Sequence, residues 1–94
     1  MLEAVVEKYL VQRVKEIGGE AYKFVSPARC SVPDRIVVVP GRICFVECKR
    51  PGGKPTRAQE REHERLRAFR MDVRVIDSRE GVDAFIEELR CDPR

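Results

Sequence analysis

The chain has 94 residues, 43% of them hydrophobic and 37% charged, with a net charge of +3. That length suits one small domain, residues 1–94, and the balance excludes both a disordered chain and a membrane-spanning one. No apolar run approaches the roughly 18 residues that a bilayer span needs and no signal-peptide pattern opens the chain, so an intracellular protein without a membrane partner is expected.

The elements follow in order. Leu2 to Ile17 carries Val6, Leu10, Val14 and Ile17 on one helical stripe and stops at Gly18-Gly19, as a helix with a glycine C-cap should. Glu20 to Val25 alternates and holds two aromatics, which predicts a strand; Ser26 to Pro33 reads as a loop. "RIVVV" and "ICFVECK" are β-branched runs separated by Pro40-Gly41, a turn signal that makes them an antiparallel hairpin. Both faces of each run are apolar, which places the hairpin in the middle of a covered sheet. After Pro51-Gly52-Gly53 a helix starts at Thr56, with Gln59 completing a capping-box pattern. Val73 to Asp77 is the last strand, and Ser78 caps a closing helix with Val82, Phe85, Ile86 and Leu89 on one face. The predicted order is αβββαβα, an α/β fold with a mixed central sheet whose third and fourth strands are parallel.

Cys30, Cys44, Cys48 and Cys91 show no CxxC spacing. On one strand, Cys44 and Cys48 would lie about 13 Å apart, too far for a disulfide or a shared zinc, so four free thiols are expected. Charge is unevenly spread. The window Lys49 to Arg74 carries +5 and the remainder −2. A basic block beside a near-neutral remainder is the layout expected where phosphates are held, although an exposed helix face laced with ion pairs reads alike.

The hairpin turn sets which residues oppose each other. A loop at Pro40-Gly41 pairs Val39 with Arg42 and Val38 with Ile43, and the same count sets Asp34 opposite Glu47; a bulged three-residue loop would slip it by one. Directly opposed residues have Cβ atoms about 4.5 to 5.5 Å apart, where like charges repel, so two facing carboxylates need a proton or a cation between them. Lys49 falls on the same face as Glu47 by the strand period of two. Two hard oxygen ligands beside an ammonium suit a Mg²⁺ (or Mn²⁺) site that binds phosphate. The plainer alternatives are a turn residue for Asp34 and a strand end reaching solvent for Glu47 and Lys49.

Pro33-Asp34 followed by Glu47 to Lys49 matches the PD-(D/E)XK pattern of the nuclease superfamily. The glycine pair after the first helix, "KFVSP", "VPDRIVVVPG", "FVECKRPGGKPT" and Gln59 followed by Leu66 resemble the virus-type replication-repair nuclease domain, VRR-NUC, over nearly the whole chain. The resemblance implies a divalent-metal-dependent DNA endonuclease; small stand-alone members tend to be homodimers that cut branched DNA as Holliday junction resolvases do. It implies Asp34 and Glu47 as metal ligands with the backbone carbonyl of Cys48, and Lys49 as the residue that orients water and stabilises transition-state charge. It also implies a first-helix glutamate, Glu3 or Glu7, with Glu3 slightly closer to the pattern. Gln59 is implied as a supporting residue, and capping and support are expected to exclude each other for one rotamer. Two positions depart from the pattern: Ser31 and Arg70 stand where the family often has glycine, which puts loop geometry in doubt.

Arg50, Lys54 and Arg57, with Arg35 and Arg61, are the expected DNA contacts. His63, the only histidine, is expected on an exposed helix face among charges, and Lys23 is expected to snorkel to solvent. The rival readings are a non-cleaving DNA-binding module of the same fold and a nuclease acting on linear or flap DNA. An RNA-binding module is disfavoured by an aromatic content of 6%. A short domain of this kind suits a phage or mobile element.

Overall fold

The computed structural model describes residues 2–91, which form α1 (Glu3–Glu16), β1 (Glu20–Lys23), β2 (Arg35–Val39), β3 (Arg42–Cys48), α2 (Arg57–Ala68), β4 (Val73–Ile76) and α3 (Arg79–Arg90). The order is the expected αβββαβα. The strands make one sheet in the order β1-β2-β3-β4, antiparallel for the first two pairings and parallel between β3 and β4.

Helix α1 ends as its glycines dictate. Gly18 takes φ +82°, its N–H bonds to the Lys15 carbonyl and the Gly19 N–H to the Val14 carbonyl, the paired bonds of a Schellman end. A Cβ on Gly19 would lie 2.6 Å from the Val38 carbonyl oxygen, so the second glycine is what lets the chain turn directly onto β2. Helix α2 closes the same way, Arg70 N–H to the Arg67 carbonyl and Met71 N–H to the Leu66 carbonyl, but with Arg70 at φ 66°. Ser31 has φ 69°. Both positions where family glycines were expected therefore keep the left-handed backbone, carried here by side chains that tolerate it at a cost of roughly 1–2 kcal/mol each.

One face of the sheet and two helices make the core. Val6, Leu10 and Val14 of α1 and Val82, Phe85, Ile86 and Leu89 of α3 pack with Ala21, Val37, Cys44, Val46, Cys48 and Ile76. The other face departs from the expected full cover. Its residues align across the sheet as Tyr22, Ile36, Phe45 and Val73, and yet Tyr22, Ile43 and Val75 are exposed. The physical reason is α2, whose buried residues are Glu62 and His63 rather than aliphatics. Such a helix can cover the polar end of the face at Glu47 but has no apolar stripe for the rest. The cysteines are free as expected, Cys44 and Cys48 buried, Cys30 and Cys91 exposed. No helix among the described residues is long and apolar enough to cross a membrane.

Candidate active site

The hairpin register follows the turn count: Val39 opposes Arg42, Val38 Ile43, and Arg35 Val46. One step further, at the strand mouth, Asp34 lies across from Glu47. Its Oδ2 accepts the Cys48 N–H at 2.8 Å, and its own carbonyl accepts the Phe24 N–H at 3.0 Å, so backbone from two strands holds it at the edge of the sheet. Cys48 turns its thiol into the core, where burial pushes its pKa well up; only its backbone reaches this edge.

Glu47 is 1% exposed. Burial first, then the charge of Asp34 and a hydrogen bond shared with it, raise its pKa to about 8, against a lowering pull from Lys49. The raised value favours a protonated Glu47 near neutral pH, as facing acids require when no cation lies between them. Lys49 Nζ lies 3.8 Å from Glu47 Oε2, and the Lys49 N–H is bonded to the Ile76 carbonyl at 2.9 Å, which ties the lysine to the adjoining strand.

Helix α2 supplies the opposite wall. Thr56 caps it, its Oγ1 accepting the Gln59 N–H at 3.1 Å, while Gln59 Oε1 accepts the Thr56 N–H at 2.9 Å. The same Gln59 side chain donates from Nε2 to Glu47 Oε2 at 3.3 Å. Capping and site support therefore do not exclude each other: the amide uses its oxygen for one and its nitrogen for the other. One turn on, His63 is 2% exposed, with Nε2 3.3 Å from Glu47 Oε1. This overturns the exposed placement expected from its charged neighbours. Burial, aided by Arg67 and Lys49, lowers its pKa, which favours the neutral ring. The signal that could have found it is the four-residue spacing from Gln59, which puts both on one helix face. Glu62, also missed, is buried and accepts from Arg29 Nε at 3.0 Å, tying the loop before Asp34 to α2.

The two first-helix glutamates separate. Glu7 accepts from Arg35 Nε at 2.7 Å and from Lys23 Nζ at 3.2 Å, whereas Glu3 is exposed and its charge adds to the upward push on Glu47. Lys23 reaches Glu7 with a side chain still 59% exposed. Arg35 is engaged with Glu7 and with the Ala21 carbonyl at 3.1 Å, because its side chain lies inward over β1, and it does not stand with the surface cations. Arg50, Lys54, Arg57 and Arg61 are exposed and, among the described residues, have no acidic partner. The turn bearing Arg50 is pinned by Gly52 N–H to Asp77 Oδ2 at 3.2 Å.

Among the described residues no three His, Cys, Asp or Glu side chains converge as a closed metal cage. Two facing carboxyls with a side left open to further oxygen ligands are what a Mg²⁺ site bound through substrate requires, and the donor set fits such an ion.

No family model matches the chain. "Putative nuclease p44" of Acyrthosiphon pisum secondary endosymbiont phage 1 is 59% identical over 76 residues, 80% of this chain and 82% of the relative. A solved structure described as a VRR_NUC domain superposes with a TM-score of 0.85 at 40% identity, over 90% of this chain and 94% of that one. Since likeness at this level runs through most of both partners, in sequence and in fold, the chain belongs to the VRR-NUC family of nuclease domains.

Proposed function

We propose that the chain is a divalent-metal-dependent DNA endonuclease that hydrolyses phosphodiester bonds, structure-selective for branched DNA, and acting as a homodimer. The observation that carries this reading is buried Glu47 meeting half-buried Asp34, whose Oδ2 is bonded to the Cys48 N–H at 2.8 Å, with Lys49 3.8 Å from Glu47. Asp34, Glu47 and the Cys48 backbone carbonyl are the residues to hold Mg²⁺ or Mn²⁺, with Glu3 rather than Glu7 as the helix-one contribution, since Glu7 is paired with Arg35. A bound divalent cation supplies Lewis-acid charge for the scissile phosphate. Lys49 orients the attacking water and offsets charge that develops on the phosphate, an effect worth several kcal/mol where bound substrate displaces bulk water. Arg50, Lys54, Arg57 and Arg61 bind backbone phosphates beside it.

Dimerisation is supported by the bare sheet face, where Tyr22, Ile43 and Val75 are 57%, 56% and 39% exposed in a chain small enough to gain stability from a partner. A dimer presents two cutting centres, which suits a junction with paired strands.

The test is cleavage of four-way junction, flap and linear duplex DNA in Mg²⁺, Mn²⁺ or EDTA. The expected result is metal-dependent cutting, strongest on the junction, that disappears in EDTA and falls by about 10²–10³-fold in Asp34→Ala and Lys49→Ala. Cutting that persists in EDTA sinks the mechanism, and metal-dependent cutting of linear duplex alone rejects the junction preference. Tight, salt-sensitive binding without cleavage makes the protein a DNA-binding module.

A further inference from the structure

Glu47 is held from two sides. From the sheet come Asp34 and Lys49; from α2 come Gln59 and His63, one to each carboxyl oxygen, at 3.3 Å in both cases. The Gln59 amide has no freedom to reverse. Its oxygen is occupied by the Thr56 N–H, so the nitrogen must face Glu47 Oε2. His63 is a polar side chain buried to 2% exposure on a helix whose first two turns contain little else to bury. An imidazole taken out of water without a partner costs free energy, and here the partner is Glu47 Oε1.

We propose that His63 is a positioning residue for Glu47: its Nε2–H donates to Oε1 and, with Gln59 on Oε2, fixes the carboxylate plane relative to Asp34. The inference rests on the metal reading above and deepens it. Were a cation held here, Glu47 would meet it with two hydrogen-bond partners already in position, which limit the rotation of its carboxylate. Hydrogen-bond partners of ligating carboxylates act in this way, and their loss lowers metal affinity by about 10- to 100-fold. The capped start of α2 is thereby part of the site: Thr56 holds Gln59, and the helix carries His63 one turn behind it.

Isothermal titration with Mn²⁺ alone, on the full chain without DNA, tests this. His63→Phe fills the space without a donor. It is expected to weaken Mn²⁺ binding by at least about tenfold, while melting in EDTA at neutral pH no earlier than the wild type. His63→Gln, which can place an amide nitrogen near the same point, is expected to recover most of the affinity. If His63→Phe fails to fold, His63→Asn replaces it: its amide is too short to reach Glu47, and it is expected to bind as weakly. Folded Phe or Asn variants with wild-type Mn²⁺ affinity overturn the positioning role and leave the metal reading intact. A wild type that binds no Mn²⁺, indistinguishable from Asp34→Ala, overturns both.

Discussion

The pairing of β3 with β4 has an acid near each end, half-buried Asp72 just before β4 and buried Glu47 on β3, and the two are treated in opposite ways. At the N-terminal end, Asp72 accepts from Arg74 Nε at 2.6 Å, from Arg42 at 2.9 Å and from the Cys44 thiol at 3.4 Å. Burial alone would raise its pKa, but these hydrogen bonds outweigh it and bring the carboxyl down to about 2. At the C-terminal end, Glu47 meets another acid, an amide and an imidazole, and burial and the charge of Asp34 outweigh the pull of Lys49, so its pKa rises to about 8. Asp72 is complete: it joins Arg42, Arg74 and Glu88 into a network that locks β3, β4 and α3, with Arg74 also lying over the Phe85 ring. Glu47 is one positive charge short. A carboxylate satisfied within the fold is a brace, and one left unsatisfied in a buried site is a place for a cation.

The contrast can be broken by exchange of effects. Asp34→Ala or Lys49→Ala should lower the rate of metal-dependent cleavage by about 10²–10³-fold, with little change in melting temperature, whereas Asp72→Asn should leave the rate per folded molecule intact. If Asp72→Asn abolishes cutting in folded protein, the division into brace and site is wrong.

Stability should respond to pH in opposite senses. A raised carboxyl means that the folded state holds a proton that the unfolded state releases. Glu47 therefore lowers stability as pH climbs from its ordinary value of 4.5 through about 8, and has no effect below that window. Melting in EDTA should fall across that range, and Glu47→Gln should flatten the curve. Asp72, whose carboxyl is depressed, contributes stability that is present above its ordinary 3.8 and lost as pH falls through about 2, a loss that Asp72→Asn should remove. At pH 7 the same substitution should cost about 1–3 kcal/mol by denaturant unfolding, because it replaces a charge-assisted acceptor by an amide.

Cations divide along the same line, Arg42 and Arg74 being bound into the Asp72 network while Arg57 and Arg61 of α2 are exposed. Arg57→Ala and Arg61→Ala should each reduce the slope of log affinity against log salt by about one. The smallest effect is expected at the end of α2. Arg70→Gly should raise stability by roughly 1 kcal/mol, since glycine takes the left-handed backbone that Gly18 already supplies to α1.

Much of this was legible in the chain. Apolar stripes at helical spacing located α1 and α3, Gly18-Gly19 ended the first, and Thr56 and Ser78 marked the starts of α2 and α3 through side-chain oxygens that cap their first turns. The Pro40-Gly41 turn determined the register, and through it the meeting of Asp34 with Glu47. What misled was α2. Its polar composition read as a solvated helix, and composition is silent about which side of a helix faces a sheet when no apolar stripe marks it. His63 and Glu62 were missed for that reason, and Gln59 was assigned one duty instead of two.

Local chemistry by itself determined the element order, the strand register and the placing of two acids and a lysine at one sheet edge, because turns, caps and the period of a strand act over a few residues. Only the tertiary structure decided which glutamate of α1 was taken by Arg35, how α2 rotated to bring Gln59 and His63 onto Glu47, and which sheet face stayed bare. Those outcomes depend on distances between segments far apart in the chain, where burial and charge are settled by packing.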